Sequence, residues 1–194
     1  MMRPACLAIA LLMSASAGSA GAQAAKTGDV PVSANVDGVC RLGPPSRPSV
    51  NFGDIAAHSG ARVGRLAALL EVTVDLPHSY CNFGGTKVTI RAEALVSPDV
   101  SELPPGFARA VNYTSTVTTW ATTAPLITTS ASADGASPVA EGSGGTEPAA
   151  KLTDLTLALS GFNVPSDARL MAGNYHGQIT ITLGPAVTDA PEGE

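Results

Sequence analysis

Charged side chains and aromatic rings are both scarce in this sequence of 194 residues. Asp, Glu, Lys and Arg make up 14% of the chain, Phe, Trp and Tyr make up 4%, and the formal net charge is −5. A weakly acidic surface cannot neutralise nucleic-acid phosphates and is not attracted to anionic lipid headgroups. The composition therefore argues against a nucleic-acid partner and against binding to an anionic membrane surface.

The sequence also lacks the short motifs that carry common catalytic chemistry. It contains neither G-x-S-x-G nor H-E-x-x-H, and its three histidines, His58, His78 and His176, are scattered along the chain. No cluster of residues has the spacing of a set of metal ligands. We therefore predict that the protein is not an enzyme and that it uses no metal and no cofactor.

No apolar run is long enough to cross a bilayer as a helix. The best candidate, residues 6–13, has the length of a signal-peptide core, follows Arg3 and precedes a stretch of small residues. Ala22-Gln23-Ala24 fits the A-x-A cleavage pattern. Residues 1–24 are therefore predicted to be a signal peptide, with cleavage after Ala22 as the second choice. Export would take the chain to the periplasm and then to the cell surface, or into the medium.

Cysteine is rare as well, and export would leave only Cys40 and Cys81 in the mature chain. An even pair of cysteines in an exported domain favours a disulfide. The alternative is a metal pair, but neither residue has a His or a second Cys within ligand range. A disulfide closing a loop of this length would stabilise the fold by about 4 kcal/mol in the chain-entropy model.

Alternation of apolar and polar side chains with a period of two dominates the mature chain. The clearest run is 70–76, and 86–96 repeats the pattern after the turn residues 82–85. The other alternating candidates are 30–36, 50–55, 107–120, 152–159 and 175–183. About seven short strands with Gly- and Pro-rich connections predict an all-β sandwich or barrel.

Two stretches lack this alternation. Residues 128–150 are rich in Ser, Ala and Gly, and we predict a long flexible surface loop there. Residues 185–194 are polar and acidic with two prolines, and we predict a disordered tail. The mature chain is thus divided into an N-terminal extension at 25–38, a β-domain at 39–184 and the tail.

Four segments of the chain resemble the fimbrial (pilin-type) subunits of the chaperone–usher class, including the archaic branch and the related spore-coat-U-like secreted domains. VPVSANVDGVC at 30–40 is similar to the alternating segment that runs into the first pilin cysteine. VNFGDI at 50–55 is similar to the apolar-x-Phe-Gly signature that follows it. Residues 71–81 resemble the strand ending at the second cysteine, and LMAGNYHGQITITL at 170–183 resembles the closing Ala-Gly-x-Tyr strand.

The resemblance implies an immunoglobulin-like β-sandwich that lacks its last strand and therefore exposes an apolar groove. A periplasmic chaperone would fill the groove first, and the N-terminal extension of the next subunit would replace it. The donor-strand side chains would be Val30, Val32, Ala34 and Val36. The acceptor groove would be lined by Tyr175, Ile179, Ile181 and Leu183.

Two functions are compatible with these patterns. The resemblance implies a structural subunit of a surface pilus or fimbria, assembled by donor-strand exchange and serving adhesion or biofilm formation. Its partners would be neighbouring subunits, the chaperone and an outer-membrane usher. The alternative is a self-contained secreted β-sandwich that binds a carbohydrate or a surface, with 128–150 as its contact loop. The two differ over whether 30–36 fills a neighbour's groove or forms the first strand of its own domain.

Two minor binding candidates lie in the third alternating region. Tyr113 and Trp120 could stack on a sugar ring, although two such aromatic residues are more commonly part of a core. Asn112-Tyr113-Thr114 matches a glycosylation sequon, a match that also arises frequently by chance.

Overall fold

The computed structural model describes residues 26–98, 102–118 and 120–186. The predicted signal peptide and positions 187–194 of the predicted tail lie outside these residues. The chain divides into one unit that ends at Val36 and a second that begins at Asp37. Within the described part of the chain, no helix is long and apolar enough to span a membrane.

The second unit is built from short and medium β-strands, with two single-turn 3-10 helices at Gly60–Arg62 and Pro165–Asp167. The strands are β1 (Cys40–Arg41), β2 (Val72–Cys81), β3 (Thr86–Glu93), β4 (Leu95–Val96), β5 (Phe107–Ala108), β6 (Ala110–Thr118), β7 (Leu126–Thr128), β8 (Val139–Ser143), β9 (Lys151–Asn163), β10 (Arg169–Leu170) and β11 (Ile179–Pro185). The prediction of an all-β domain is confirmed, although the described residues form more strands than the seven that we predicted.

These strands form two antiparallel sheets and one short parallel pair. The larger sheet has the order β1-β2-β9-β6-β4, and β7 pairs with the end of β6 that β4 leaves free. The smaller sheet has the order β11-β3-β8, so β3 is flanked on both sides. The parallel pair is β5 with β10.

The main hydrophobic cluster combines inward side chains of both antiparallel sheets, and two smaller clusters accompany it in the described residues. The period-two alternation predicted which side chains point into it, because successive side chains of a strand leave on opposite faces. The buried members include Val74, Leu76, Val88, Ile90, Val117, Leu155, Leu157 and Leu159. Each such aliphatic side chain contributes about 1.5–3 kcal/mol when fully buried.

The predicted disulfide between Cys40 and Cys81 is present and joins β1 to the end of β2. Beside it, Asn82 anchors the chain that precedes Cys40. The Asn82 side chain donates a hydrogen bond to the Asp37 carbonyl over 2.8 Å and accepts one from the Val39 amide over 2.6 Å. Residues 37–39 are therefore held at the disulfide end of the domain.

The prediction of a loop without secondary structure over 128–150 is wrong, because β8 lies inside it and pairs with β3. β8 has the sequence VAEGS, and its small residues give it no clear apolar alternation. Its Gly142 faces Ile127 of β7 so closely that a Cβ at that position would overlap the isoleucine side chain. The cross-strand neighbours, not the composition of β8 itself, determine that this segment is a strand.

The strand predictions for 50–55 and 175–183 also differ from the structure. Residues 50–55 form no strand, because Asn51 and Asp54 each bind a backbone amide two residues ahead and so turn the chain locally. In the last run, the strand begins at Ile179 instead of 175 and includes Pro185 of the predicted tail. Just before it, Gly177 lies so close to the Glu93 and Ala94 carbonyls that a side chain would not fit.

Candidate functional site

Strand β11 has one free edge. On its inner side it pairs with β3, and the Glu93 amide donates to the Gln178 carbonyl over 2.8 Å at the start of this pairing. Because hydrogen-bonded and non-bonded positions alternate in an antiparallel pair, the backbone groups of Ile179, Ile181 and Leu183 point away from β3. No strand in the described residues pairs with that side of β11.

A groove of about 490 Å³ runs along this free edge. Ile179 and Ile181 form one wall, and the chain from Leu42 to Phe52 forms the other. The floor is the hydrophobic core itself, contributed by Val74, Leu76, Leu157 and Leu159. The inward side chains of β11 are consequently only half-buried, whereas Val88 and Ile90 of the adjacent β3 are completely buried.

The second wall follows β2 without forming a strand along the groove. Two hydrogen bonds with Asp75 fix Ser46 to β2. The Ser46 amide donates to the Asp75 carbonyl over 2.7 Å, and the Asp75 amide donates to the Ser46 hydroxyl over 2.9 Å. Three prolines, at 44, 45 and 48, supply no amide hydrogen for a β-ladder. This wall therefore borders the groove but does not hydrogen-bond to β11.

The groove narrows at the disulfide end and opens at the other. Near the disulfide, β1 contacts β11, and Leu42 and Leu183 pack against the core. At the opposite end the groove shares Val50, Phe52 and Leu95 with a second cleft of about 830 Å³. The apolar surface thus continues past Ile179, where the pairing of β11 with β3 begins.

The four predicted acceptor residues have different positions. Ile179 and Ile181 line the groove, and Leu183 packs against the core at its narrow end. Tyr175 lies in the second cleft, where its hydroxyl donates to the Met171 carbonyl over 2.8 Å and burial raises the pKa of the phenol. The structure brings the two isoleucines together at the free edge and places Tyr175 outside the groove.

Several groove residues were not predicted from the sequence. Leu42, Val50, Phe52 and Phe162 contribute apolar surface, and the rings of Phe52 and Phe162 meet edge to face with centroids 4.9 Å apart. Phe52 could have been found, because it is the aromatic residue of the apolar-x-Phe-Gly motif. Phe162 had no such signal, since it lies beyond the alternating run that predicted β9.

The predicted donor residues lie in the first unit and are exposed. Val30, Val32 and Val36 are 83%, 91% and 83% exposed, and Ala34 is exposed as well. Residues 30–36 form no strand in the structure. Exposed valines at alternate positions form an apolar stripe that a sheet edge can accept.

The minor binding candidates are core residues. Trp120 is 1% exposed and Tyr113 is 3% exposed, and the Tyr113 hydroxyl donates to the Glu93 carbonyl over 2.7 Å. Asn112 is also buried, and its amide group bonds both ways to the backbone of Ala131. None of these residues is available to stack on a sugar or to carry a glycan. The described residues include no group of three or more potential metal ligands.

No protein-family model, no curated protein and no solved structure matches this chain. The groove, the free edge of β11 and the exposed extension are therefore the features from which a function can be inferred.

Proposed function

We infer that the protein is a structural subunit of a surface pilus or fimbria assembled by donor-strand exchange, in adhesion or biofilm formation. Its domain would be an incomplete immunoglobulin-like β-sandwich, and residues 30–36 of one copy would complete the next. The observation that carries this proposal is the apolar groove along the free edge of β11, whose floor is the core of the domain.

The free edge favours an added strand for two physical reasons. Ile179, Ile181 and Leu183 direct their backbone donors and acceptors toward the groove, and unpaired backbone groups at an apolar edge invite another chain. An inserted strand would pair with these groups and cover the core. A periplasmic chaperone would protect the same edge before assembly, and an outer-membrane usher would direct the exchange.

The extension has the pattern that this edge requires. Val30, Val32, Ala34 and Val36 share one face of an extended strand, at intervals of about 6.6–6.8 Å. The side chains of Ile179 and Ile181 have the same periodicity, so alternate residues of the two strands can cover one core. Pro31 lies on the opposite parity, and its missing amide hydrogen must face away from β11.

The positions of the extension and of the open end of the groove support one direction of insertion. The extension leaves its own domain at the disulfide end, where Asn82 holds Asp37, whereas the groove opens at the opposite end. The body of the donor copy must therefore sit at the open end of the acceptor. Val36 would lie near Ile179 and Val30 near Leu183, which makes the donor strand antiparallel to β11.

The test is an unheated SDS gel of the full chain purified from the periplasm, beside a boiled sample. We expect a ladder that collapses on boiling. Val32→Asp should abolish the ladder, because a carboxylate cannot enter the groove, and Ser33→Asp on the opposite parity should preserve it. Both sites lie in the exposed extension, so neither change affects the fold.

Two results would contradict the proposal. One is a ladder that survives Val32→Asp, and the other is a single monomer band unchanged by an added peptide spanning residues 26–39. A monomer of this kind would support the self-contained secreted binding module instead.

A further inference from the structure

Arg62, Arg65 and Arg169 form a cluster at the end of the domain opposite the disulfide. Arg62 and Arg65 both pair with the carboxylate of Asp167, and the Arg62 pair spans 3.0 Å. The side chain of Arg169 lies close by, against Gly64. Asp54, the one carboxylate in residues 54–67, pairs with His58. Positive charge therefore exceeds negative charge in the cluster.

The position of Asp167 is tightly held. Ser166 and Asp167 both have left-handed backbone conformations, with φ of 56° and 48°. Two consecutive residues other than glycine rarely adopt this conformation, and they persist only where their surroundings enforce it. Here Arg65 donates to the Asp167 carbonyl over 2.6 Å in addition to its ion pair. The arginines are consequently presented from a fixed site.

A cleft of about 730 Å³ lies beside this cluster. One wall is the chain from Ala57 to Leu69, and the other is the end of β9 with the turn that follows. Leu66, Phe162 and Val164 contribute apolar surface, and the polar side chains are those of Ser59, Arg62, Asn163 and Asp167. Such a mixture suits a short peptide that carries carboxylates among small residues.

We propose that this arginine cleft binds the acidic segment 187–194 of a neighbouring copy of the chain. The segment contains Asp189, Glu192 and Glu194 and no basic residue, so its charge is complementary to the cluster. Guanidinium groups bind carboxylates with paired hydrogen bonds, which makes arginine the favoured residue for such contacts. The proposal rests on the head-to-tail assembly described above.

The acidic residues of the same copy cannot reach the cleft. Ala186 is bonded to Gly85 at the disulfide end, over 2.8 Å. From there the cleft lies a full length of β9 away, because β9 runs for 13 residues from its pairing with Cys81, a distance of about 40 Å. Glu194 is eight residues beyond Ala186 and can extend at most about 29 Å.

A neighbouring copy would bring its residues 187–194 to the end of the domain where the arginine cleft lies. When its extension enters the groove antiparallel to β11, its disulfide end and its Ala186 face the open end of the acceptor. Phe162 lines both the groove and the arginine cleft, so the two sites adjoin. The acidic segment would thus form a second contact between subunits, next to the inserted strand.

The test uses the full chain with a neutralised tail, D189N/E192Q/E194Q, as the receiving protein. A fluorescent peptide of residues 184–194 is titrated onto it by anisotropy, beside a control peptide carrying the same three changes. We expect the acidic peptide to bind at least tenfold more tightly, with an advantage that declines as salt rises. The double variant R62Q/R65Q should lose that advantage, and R91Q, on the other sheet, should keep it.

Equal affinity of the two peptides, no binding of either, or an advantage that survives R62Q/R65Q would overturn this proposal. A fold defect in R62Q/R65Q does not obscure the result, because the comparison between the two peptides uses unchanged arginines. The SDS ladder separates the two proposals. The neutral-tail chain should still form the ladder, with slower growth, whereas a wild-type chain that binds the peptide but forms no ladder would contradict strand exchange alone.

Discussion

The two outer strands of the smaller sheet, β8 and β11, flank the same central strand but differ in what covers them. β8 carries small residues, and Ile127 of β7 packs closely against its Gly142. β11 carries isoleucines at its inward positions, yet those side chains border an open groove. The more apolar strand is therefore the one left uncovered. β8 is thus covered within its own domain, whereas the proposed strand exchange would cover β11 with a segment of another chain.

The largest expected effect is a loss of stability when the disulfide at the narrow end of the groove is removed. Replacing both Cys40 and Cys81 by Ala removes the covalent link between β1 and the end of β2, and the unfolded chain gains the freedom of a loop whose ends are 41 positions apart. We expect the free energy of unfolding to fall by about 4 kcal/mol. Denaturant unfolding of the oxidised and the variant protein measures this loss. A change below about 1 kcal/mol would mean that the wall of the groove does not depend on the disulfide.

A matched pair of truncations compares the covered and uncovered positions directly. Ile90 and Ile181 are cross-strand partners, but only Ile90 is completely buried. Ile90→Ala should destabilise the monomer by about 2–5 kcal/mol, and Ile181→Ala by about 1–2 kcal/mol. Thermal or urea unfolding of the monomeric protein gives both values. With a peptide of residues 26–39 bound, the effect of Ile181→Ala should increase, because the isoleucine is then covered.

A smaller effect is expected in the wall formed by residues 42–52. Ser46→Ala removes the hydroxyl that accepts a hydrogen bond from the Asp75 amide, but it leaves the backbone bond between the same residues intact. We expect a loss of about 1 kcal/mol and faster amide exchange at Asp75. Ser49→Ala, in the same wall, serves as the control and should leave exchange at Asp75 unchanged. Equal exchange in both variants would show that Ser46 does not anchor the wall.

The smallest effect is a response to acid at the arginine cleft. Desolvation by itself raises the pKa of Asp167, but hydrogen bonds and charges from Arg62 and Arg65 outweigh it and hold the pKa below its ordinary value. The ion pairs therefore stabilise the domain above the ordinary Asp pKa of about 3.9, and this contribution is lost as the pH falls through the lower folded pKa. Unfolding curves between pH 5 and pH 2 should show this loss in the wild type and not in Asp167→Asn. If the stability of the wild type and of Asp167→Asn changed in parallel with pH, this expectation would be wrong.

Alternation alone was sufficient to predict the central strands and their inward side chains. Val74 and Leu76 of β2, Val88 and Ile90 of β3 and the three leucines of β9 all face the core as expected. The side chains of a strand alternate because of the backbone itself, so this information is local to each segment. The pairing of Cys40 with Cys81 could also be predicted, since an exported chain would keep only two cysteines.

Only the tertiary structure decided which strand edge is covered and which is open. Gly142 belongs to a strand because Ile127 packs against it, and Phe162 belongs to the groove because β9 extends past its alternating run. The arginine cleft likewise joins residues about 100 positions apart in the chain, at Arg62 and Asp167. Local pattern determines which way a side chain points, whereas its neighbours across the sheets depend on how distant segments pack.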